Sequence, residues 1–277
     1  SDKMFSNVQY SNGVNRENYL RTNFTRGFGA LLDLGFSFDR INSEGFYQRQ
    51  RNTITDLSVY GAFRSKNSRY KASVMFTYMN LMAEENGGIV TDSVFEQNLT
   101  SGRSFINTNL TESSNHWKGF DFGLNHRLLL MNQDSAGSQK VFQPAISHSF
   151  LATSHSMAYR NVPDTASDYY ENVFQDSSTT YDSTNVFTLS NTLRLELLKS
   201  DSVKSQALNR LAVGAQYDFH RVAYDSVFSE QIHNVSVLAN VDGELFDKIN
   251  WKASGNLMLY GYNIWDFKVD GQFDYSV

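Results

Sequence analysis

The sequence predicts an all-β protein, an antiparallel up-and-down transmembrane β-barrel with about twelve strands. Three observations predict it: a period-two alternation of apolar and polar residues along most of the chain, an aromatic content of 14%, and only 2 prolines in 277 residues. Successive side chains of a strand point to opposite faces, so a period of two indicates strands. Proline cannot donate to a sheet ladder, so its scarcity suits long strands.

The alternation can be followed segment by segment. In the first clear segment, Leu32, Leu34, Phe36 and Phe38 alternate with polar or small residues. The pattern then recurs at residues 56–64, 71–78, 120–128, 187–197, 211–220, 234–242, 253–259 and 267–273. We expect most strands to be around ten residues long, the length that a tilted strand needs to cross a bilayer.

Composition excludes several classes of protein. The mean hydropathy is −0.43, and no run approaches the ~18 apolar residues of a spanning helix. A barrel strand shows lipid only every second residue, so this average does not exclude a barrel. The chain has no cysteine, which excludes disulfides, thiol nucleophiles and cysteine-based zinc sites. A net charge of −5 gives no reason to expect nucleic acid as a partner.

The connections between these segments alternate in length. Short connections are predicted at 26–29, 65–69, 132–140, 199–208 and 246–250, and long ones at 41–52, 80–115, 160–180 and 222–231. Outer-membrane barrels alternate short periplasmic turns with longer extracellular loops. A soluble β-sandwich, the competing architecture, also shows alternating strands, but it has no physical reason for this rhythm.

Aromatic residues concentrate near the ends of the predicted strands. They are Tyr10, Tyr19, Tyr70, Tyr78, Trp117, Tyr159, Trp251, Tyr262 and Trp265. Amphipathic rings favour the headgroup level of a bilayer, so the set predicts aromatic girdles. Ordinary cross-strand aromatic pairing is the alternative for any single member.

Several segments resemble one family. Residues 41–50, Ile-Asn-Ser-Glu-Gly-Phe-Tyr-Gln-Arg-Gln, are similar to the putative porin family of Bacteroidota, and residues 10–17, 64–70 and 84–89 add to the likeness. The match is densest over the first third of the chain. The resemblance implies a location in the bacterial outer membrane and a role as a channel. Members of that family are longer than this chain.

Residues 1–277 are therefore expected to form one outer-membrane β-barrel domain that is a fragment of a longer chain. The chain starts without a signal segment and ends Tyr275-Ser276-Val277 rather than on the aromatic residue usual for such barrels. The alternative is a complete barrel, because an even number of strands returns both ends to one side.

We expect no catalytic residues, no metal and no cofactor. Ser147-His148-Ser149 and Ser154-His155-Ser156 place histidine beside serine, but neighbours on a strand face opposite ways and cannot act as nucleophile and base. The six histidines are scattered. Acidic stretches at residues 84–86, 164–168 and 201 leave loop-bound calcium open as an alternative.

The polar face of the strands is the best candidate for function. Its charged residues are predicted to line a pore: Asp33, Asp39, Asp56, Arg64, Lys71, Asp121, Arg127, Arg194, Glu196, Asp218, Asp242, Lys252, Lys268 and Asp270. In lipid each would cost roughly 2–4 kcal/mol, so they must face water or one another. Opposed rows of acids and bases would create a transverse field with a weak cation preference at most. The alternative is a salt-bridged wall.

Two polar residues fall on the lipid phase of their strands. His126 lies between Leu124 and Leu128, and Asn191 between Leu189 and Leu193. A β-bulge, an error in the assigned register or a protein neighbour would explain them.

The leading hypothesis is passive diffusion of small solutes or ions through a water-filled lumen, with residues 80–115 as a constriction or lid. The alternative is a structural or accessory barrel subunit of a larger outer-membrane secretion or uptake complex. The expected partners are outer-membrane lipid, the solutes or ions themselves and, under the second hypothesis, other outer-membrane proteins.

Overall fold

The computed structural model describes residues 4–14, 16–97, 102–131, 141–162, 169, 179–200, 207–225, 227–246 and 248–275. Twelve β-strands account for most of them. They are β1 (Met4–Asn12), β2 (Asn18–Phe28), β3 (Leu32–Ser43), β4 (Asn52–Arg64), β5 (Tyr70–Glu84), β6 (Glu112–Leu129), β7 (Phe142–Val162), β8 (Thr180–Lys199), β9 (Arg210–Tyr224), β10 (Phe228–Leu245), β11 (Ile249–Tyr260) and β12 (Phe267–Tyr275).

The strands form one antiparallel sheet in which every strand pairs with its neighbours in the chain, in the order β1 to β12. The predicted all-β, up-and-down topology of about twelve strands is therefore confirmed. No pairing joins β1 to β12 within the described residues, so the sheet is open, and its connectivity is compatible with a barrel. The described helices, Ser93–Glu96 and Arg103–Phe105, are too short to cross a membrane.

The middle strands are longer than the sequence predicts. Strands β5 to β10 contain 15 to 21 residues rather than about ten. The two-residue alternation marks only the part of a strand whose two faces meet different surroundings. Where a strand continues beyond that part, the alternation is no longer in the same phase, and the prediction of its length was wrong.

Connections lie at two ends of the sheet. The turn end carries the tight connections 29–31, 65–69 and 246–248, and the loop end carries the longer connections 44–51, 85–111 and 163–179. The predicted long connection at 222–231 was wrong, because β9 and β10 are joined by residues 225–227 at the loop end. Asp225 has a left-handed φ of 49° there, a conformation that aspartate tolerates better than most residues.

The strands are staggered across the sheet. One row of directly opposed residues leads from Phe28, through Ala72 and Leu193, to Phe267. Phe28 ends β2 at the turn end, whereas Phe267 begins β12 at the loop end, although both strands run in the same direction. A row perpendicular to the strands thus crosses from one rim to the other. Strands must be tilted and staggered in this way when a sheet closes into a barrel.

Gly35 illustrates how the first strands pack. It is paired with Tyr60, whose ring lies across the position that a Cβ at Gly35 would occupy. The Tyr60 hydroxyl reaches the hydroxyl of Thr25 on the next strand at 2.7 Å. The missing side chain of Gly35 therefore allows one tyrosine to connect β4 to β2 across β3.

Candidate functional site: the polar face

The two faces of the sheet differ sharply in polarity. We call the side that carries Leu34 and Phe36 the apolar face, and the side that carries Asp33 and Asp39 the polar face. Successive pairings place all fourteen residues predicted to line a pore on the polar face. Their assignment to one face follows from the register, and their role in lining a pore stays a prediction.

Burial around Glu196 is opposite to that of a soluble sheet. On the apolar face Leu195 and Val213 are 64% and 55% exposed, whereas their polar-face neighbour Glu196 is 3% exposed. Soluble proteins bury such leucines and expose such carboxylates. The described residues form no second layer over the apolar face. A sandwich would place its leucines and phenylalanines between two stacked sheets, so the soluble alternative does not describe this fold.

Charges on the polar face separate along the strands. On β4, Asp56 lies nearer the loop end and Arg64 is the last residue at the turn end. On β6, Asp121 lies nearer the loop end and Arg127 nearer the turn end. Asp56, Asp121 and Asp218 thus form one zone on β4 to β9 and the bases another, with Glu196 as the exception that lies among the bases. The predicted opposed rows of acids and bases stay a prediction, because an open sheet does not show which residues face each other across a lumen.

The bases include one continuous row. Arg64 pairs with Lys71, Lys71 with Arg127, Arg127 with Ser147, and Ser147 with Arg194, so five adjacent strands contribute. We call Arg64, Lys71, Arg127 and Arg194 the basic row. Like charges directly opposite each other on a sheet are destabilising. The row therefore needs a negative charge close by.

Glu196 supplies part of that charge from the next polar-face position of β8. Its Oε2 lies 3.0 Å from Nε of Arg127, and its Oε1 lies 2.9 Å from an Nη of Arg210. The Ser147 hydroxyl donates to Oε1 at 2.6 Å. One buried carboxylate thus joins β6, β7, β8 and β9 through two ion pairs and a hydrogen bond.

The acidic zone is held differently. His155 Nε2 donates to Asp121 at 2.9 Å, and the Thr77 hydroxyl donates to the same carboxylate at 3.1 Å. Asp218 accepts hydrogen bonds from the Ser190 hydroxyl and from the Gln216 amide. Hydroxyl, amide and imidazole donors stabilise these acids, so they do not neutralise the basic row.

His126 and Asn191 do lie on the apolar face, as predicted, but neither a bulge nor a register error places them there. His126 is paired in register with Ala72 and His148. Its Nε2 lies 3.0 Å from Nδ1 of His148, and Nε2 of His148 lies 3.4 Å from Oδ1 of Asn191. These polar groups satisfy one another across β6, β7 and β8. The mutual bonding removes the need for a protein neighbour.

Replacing His148 with leucine is expected to destabilise the sheet by about 1–3 kcal/mol, because His126 is then left without its partner in apolar surroundings. The double variant His126→Leu/His148→Leu is expected to be more stable than the single variant, since His126 is no longer left unpaired and the loss of the His148 contact with Asn191 is common to both variants. Urea unfolding in lipid vesicles, followed by tryptophan fluorescence, measures both. A double variant whose loss equals the sum of the two single losses would contradict this assignment.

The faces exchange polarity near the loop end. One row on the polar face is largely apolar there: Tyr19, Ile41, Ile54, Leu81, Trp117, Met157, Thr184, Tyr224 and Phe228. A neighbouring row on the apolar face is polar: Arg40, Thr55, Asn80, Lys118, Ser156 and Asn185. The apolar band on the apolar face therefore ends before it reaches these two rows. Sequence reasoning missed the exchange because it assigned much of both rows to loops.

The aromatic residues predicted to form girdles divide between the two faces. Tyr19, Trp117 and Tyr159 lie on the polar face. Tyr10, Tyr70, Tyr78 and Trp251 lie on the apolar face, and Tyr262 and Trp265 lie in the connection between β11 and β12. A girdle formed by the remaining residues stays a prediction.

The long connection 85–111 packs against its neighbour 44–51. Asn86 Nδ2 donates to the carbonyl of Gln48 at 3.1 Å, and the Arg103 guanidinium lies 5.9 Å from the ring centre of Tyr47. Ile106 and Leu110 are buried. The described parts of this segment, 85–97 and 102–111, thus pack over the loop end, and its predicted role as constriction or lid stays a prediction.

Catalytic and metal-binding alternatives gain no geometric support from the described residues. Ser147 and His148 face opposite sides, as predicted, and the same holds for Ser154 and His155. No group of three or more His, Asp or Glu is placed to hold a metal in the part of the chain that the structure describes. Glu85 Oε1 accepts a hydrogen bond from Asn115 at 2.7 Å. The acidic stretches at 164–168 and 201 lie outside the described residues.

A twelve-stranded antiparallel meander with an exposed apolar face and a charged opposite face is compatible with a β-barrel. The chain belongs to the family described as "Putative porin", whose sequence model matches residues 3–277. The family resemblance is thereby confirmed, while the bacterial group stays a prediction. A search of curated proteins finds no significant match.

Proposed function

We propose that this chain forms part of the wall of a water-filled channel in the bacterial outer membrane, through which small solutes or ions diffuse passively. The observation that carries the proposal is the inverted burial around Glu196, with exposed leucine and valine on one face and a nearly inaccessible carboxylate on the other. Such a sheet is stable where its apolar side meets acyl chains and its polar side meets water.

The dimensions of the apolar band support a membrane location. The band runs from Phe120 on β6 to Leu130, the residue that directly follows this strand. Ten residue steps cover about 33 Å along a strand, and about 25 Å along the barrel axis when the strand is tilted by about 40°. The apolar band of outer-membrane barrels is about 25 Å tall. The stagger from Phe28 to Phe267 supplies the tilt that this estimate requires.

The alternative of an accessory subunit was favoured by His126 and Asn191 as polar residues awaiting a partner. Their hydrogen bonds with His148 remove that support. Belonging to the "Putative porin" family supports a porin-like role more directly. We therefore propose a channel for passive diffusion rather than an accessory subunit of a larger complex, and we propose no covalent chemistry.

Reconstituting the full-length protein in a planar bilayer tests this proposal. Discrete ion conductance is expected, and a silent bilayer despite verified insertion would contradict a channel. Because the chain has no cysteine, a single introduced thiol reports on one position. A bulky water-soluble thiol reagent should reduce conductance in Ser73→Cys, on the polar face, and leave it unchanged in the matched variant Val74→Cys, on the apolar face.

A further inference from the structure

We propose that the basic row, together with Arg210, forms a binding site for small oxyanions that carry a phosphate or carboxylate group. This inference rests on the proposed channel and names the class of solute that its polar face favours. It also replaces the weak cation preference expected from the slight acidic excess among the residues predicted to line the pore, because selectivity depends on how the charges are arranged along the path.

The cations of this site outnumber the carboxylates that they contact. Arg127 and Arg210 share one carboxylate, that of Glu196. Arg64, Lys71 and Arg194 have no carboxylate within 4.0 Å among the residues that the structure describes. If these cations served only to hold Glu196, two would suffice. The excess positive charge therefore remains available to a mobile anion.

Arg194 has a hydrogen-bond donor to offer to an anion. Its side chain is partly buried between Ser147 and Gly214, with which it is paired on either side. Its Nε is buried and has no hydrogen-bond partner within the described part of the chain. A guanidinium presents its donors in a planar fork that matches phosphate and carboxylate oxygens. An oxyanion would supply the acceptor that the protein does not provide.

Two cavities beside these cations provide space for an anion. A cavity of about 410 Å³ at the turn end is lined by Lys71, Arg127 and Arg210, with Asp242 as a carboxylate on its wall. A second cavity of about 300 Å³ is lined by the same three cations together with Arg194 and Glu196. Counting both carboxylates, the cations still outnumber the acids. The two cavities place an entering anion within reach of several cations at once.

The basic row lies toward the turn end of the polar face together with Asp33, Glu196 and Asp242, whereas Asp56, Asp121 and Asp218 lie nearer the loop end. An anion that enters from the loop end would first pass Asp121 and Asp218, which are already bonded to hydroxyl, amide and imidazole donors. It would then reach Arg64, Lys71 and Arg194, which have no carboxylate within 4.0 Å among the described residues. The site thus acts as a local concentrator of anions within the path.

Two readouts test the site. In a bilayer with a KCl gradient, the reversal potential of the full-length protein should show a preference for anions. Calorimetry of the detergent-folded protein with inorganic phosphate should show binding. In Arg64→Gln/Lys71→Gln/Arg194→Gln the reversal potential should shift toward cations, and phosphate binding should weaken about tenfold or more, as expected for lost charge-assisted hydrogen bonds.

A matched control removes the same charge from the other side of the sheet. Arg40, Arg160 and Arg221 lie on the side opposite the basic row, and Arg40→Gln/Arg160→Gln/Arg221→Gln should leave both readouts unchanged. Equal effects of the two triple variants would overturn the inference. If Arg64→Gln/Lys71→Gln/Arg194→Gln fails to fold, the single variant Arg194→Gln, which breaks no ion pair, is compared with the control variant instead.

The outcomes separate this inference from the channel. Conductance with cation preference and no phosphate binding would overturn the oxyanion site and leave the channel intact. Phosphate binding that the site variant loses, in a protein that conducts no ions, would support the site and contradict the channel.

Discussion

Replacing Glu196 with glutamine is expected to lower the free energy of unfolding by about 3 kcal/mol, the low end of the range for removing one member of a buried ion pair. The substitution keeps the size of the side chain and removes its charge. Arg127 and Arg210 are then left beside each other and beside Arg194 without a carboxylate. We choose the low end because Arg127 and Arg210 are 38% and 31% exposed, so water screens part of their repulsion.

Asp270→Asn is the matched control. Asp270 also lies on the polar face and pairs with Lys268 at 3.1 Å, but the two side chains are 55% and 75% exposed. Exposed pairs typically contribute less than about 1 kcal/mol, so this variant should unfold almost like the unaltered protein. Urea unfolding in lipid vesicles measures both. Equal losses in the two variants would contradict a central structural role for Glu196.

The Glu196→Gln variant also separates stability from selectivity. It removes a negative charge from beside the basic row, so the channel that does form should favour anions more strongly than the unaltered protein. A loss of stability combined with a gain in anion preference is expected only if Glu196 both joins the strands and offsets the cations. A variant that loses stability and shifts toward cations would contradict the proposed anion site.

Val74→Arg is expected to destabilise the inserted protein by about 2–4 kcal/mol, the cost of an arginine on the lipid face near the bilayer midplane. Val74 lies at the centre of the apolar band on β5, between Ala72 and Phe76. An arginine there has no water and no carboxylate to meet. Its guanidinium can only reach toward the headgroups at the cost of distorting the strand or the bilayer.

Ser73→Arg provides the comparison one residue away. Ser73 is exposed on the polar face and pairs with Ala62 and Asn125. An arginine at this position meets water, so the loss of stability should stay within about 0.5 kcal/mol, as for ordinary surface changes. The stability of Val74→Arg and Ser73→Arg is measured by unfolding in lipid vesicles and by the yield of membrane-inserted protein. Similar losses at both positions would contradict the assignment of the two faces.

Much of the fold could be predicted from sequence because a period of two is a local property. The alternation of Leu32, Leu34, Phe36 and Phe38 with polar residues identifies both the strand and its apolar side without any knowledge of its neighbours. The same rule assigned all fourteen charged residues to one face. Strand ends could not be predicted, because beyond the apolar band the surroundings of the two faces change and the pattern inverts, as it does at Tyr19 and Trp117.

The arrangement of the site depends on register and could not be predicted in this way. Glu196 meets Arg127, Ser147 and Arg210, which come from three other strands. Alternation within a strand gives the face of each residue but not its height relative to other strands. The basic row and the separation of acids from bases appear only when the stagger is known. His126 was singled out correctly as a polar residue on the apolar face, but its partner His148 is set by the pairing of β6 with β7.

A spin-label scan along β5 tests the central claim most directly. Single cysteines at positions 71 to 78 carry a nitroxide, and collisions with oxygen, which enters lipid, are compared with collisions with a water-soluble nickel complex. We predict that even positions collide with oxygen and avoid nickel, whereas odd positions show the reverse. Low access of both reagents at the even positions would place the apolar face inside a packed protein core and contradict the account.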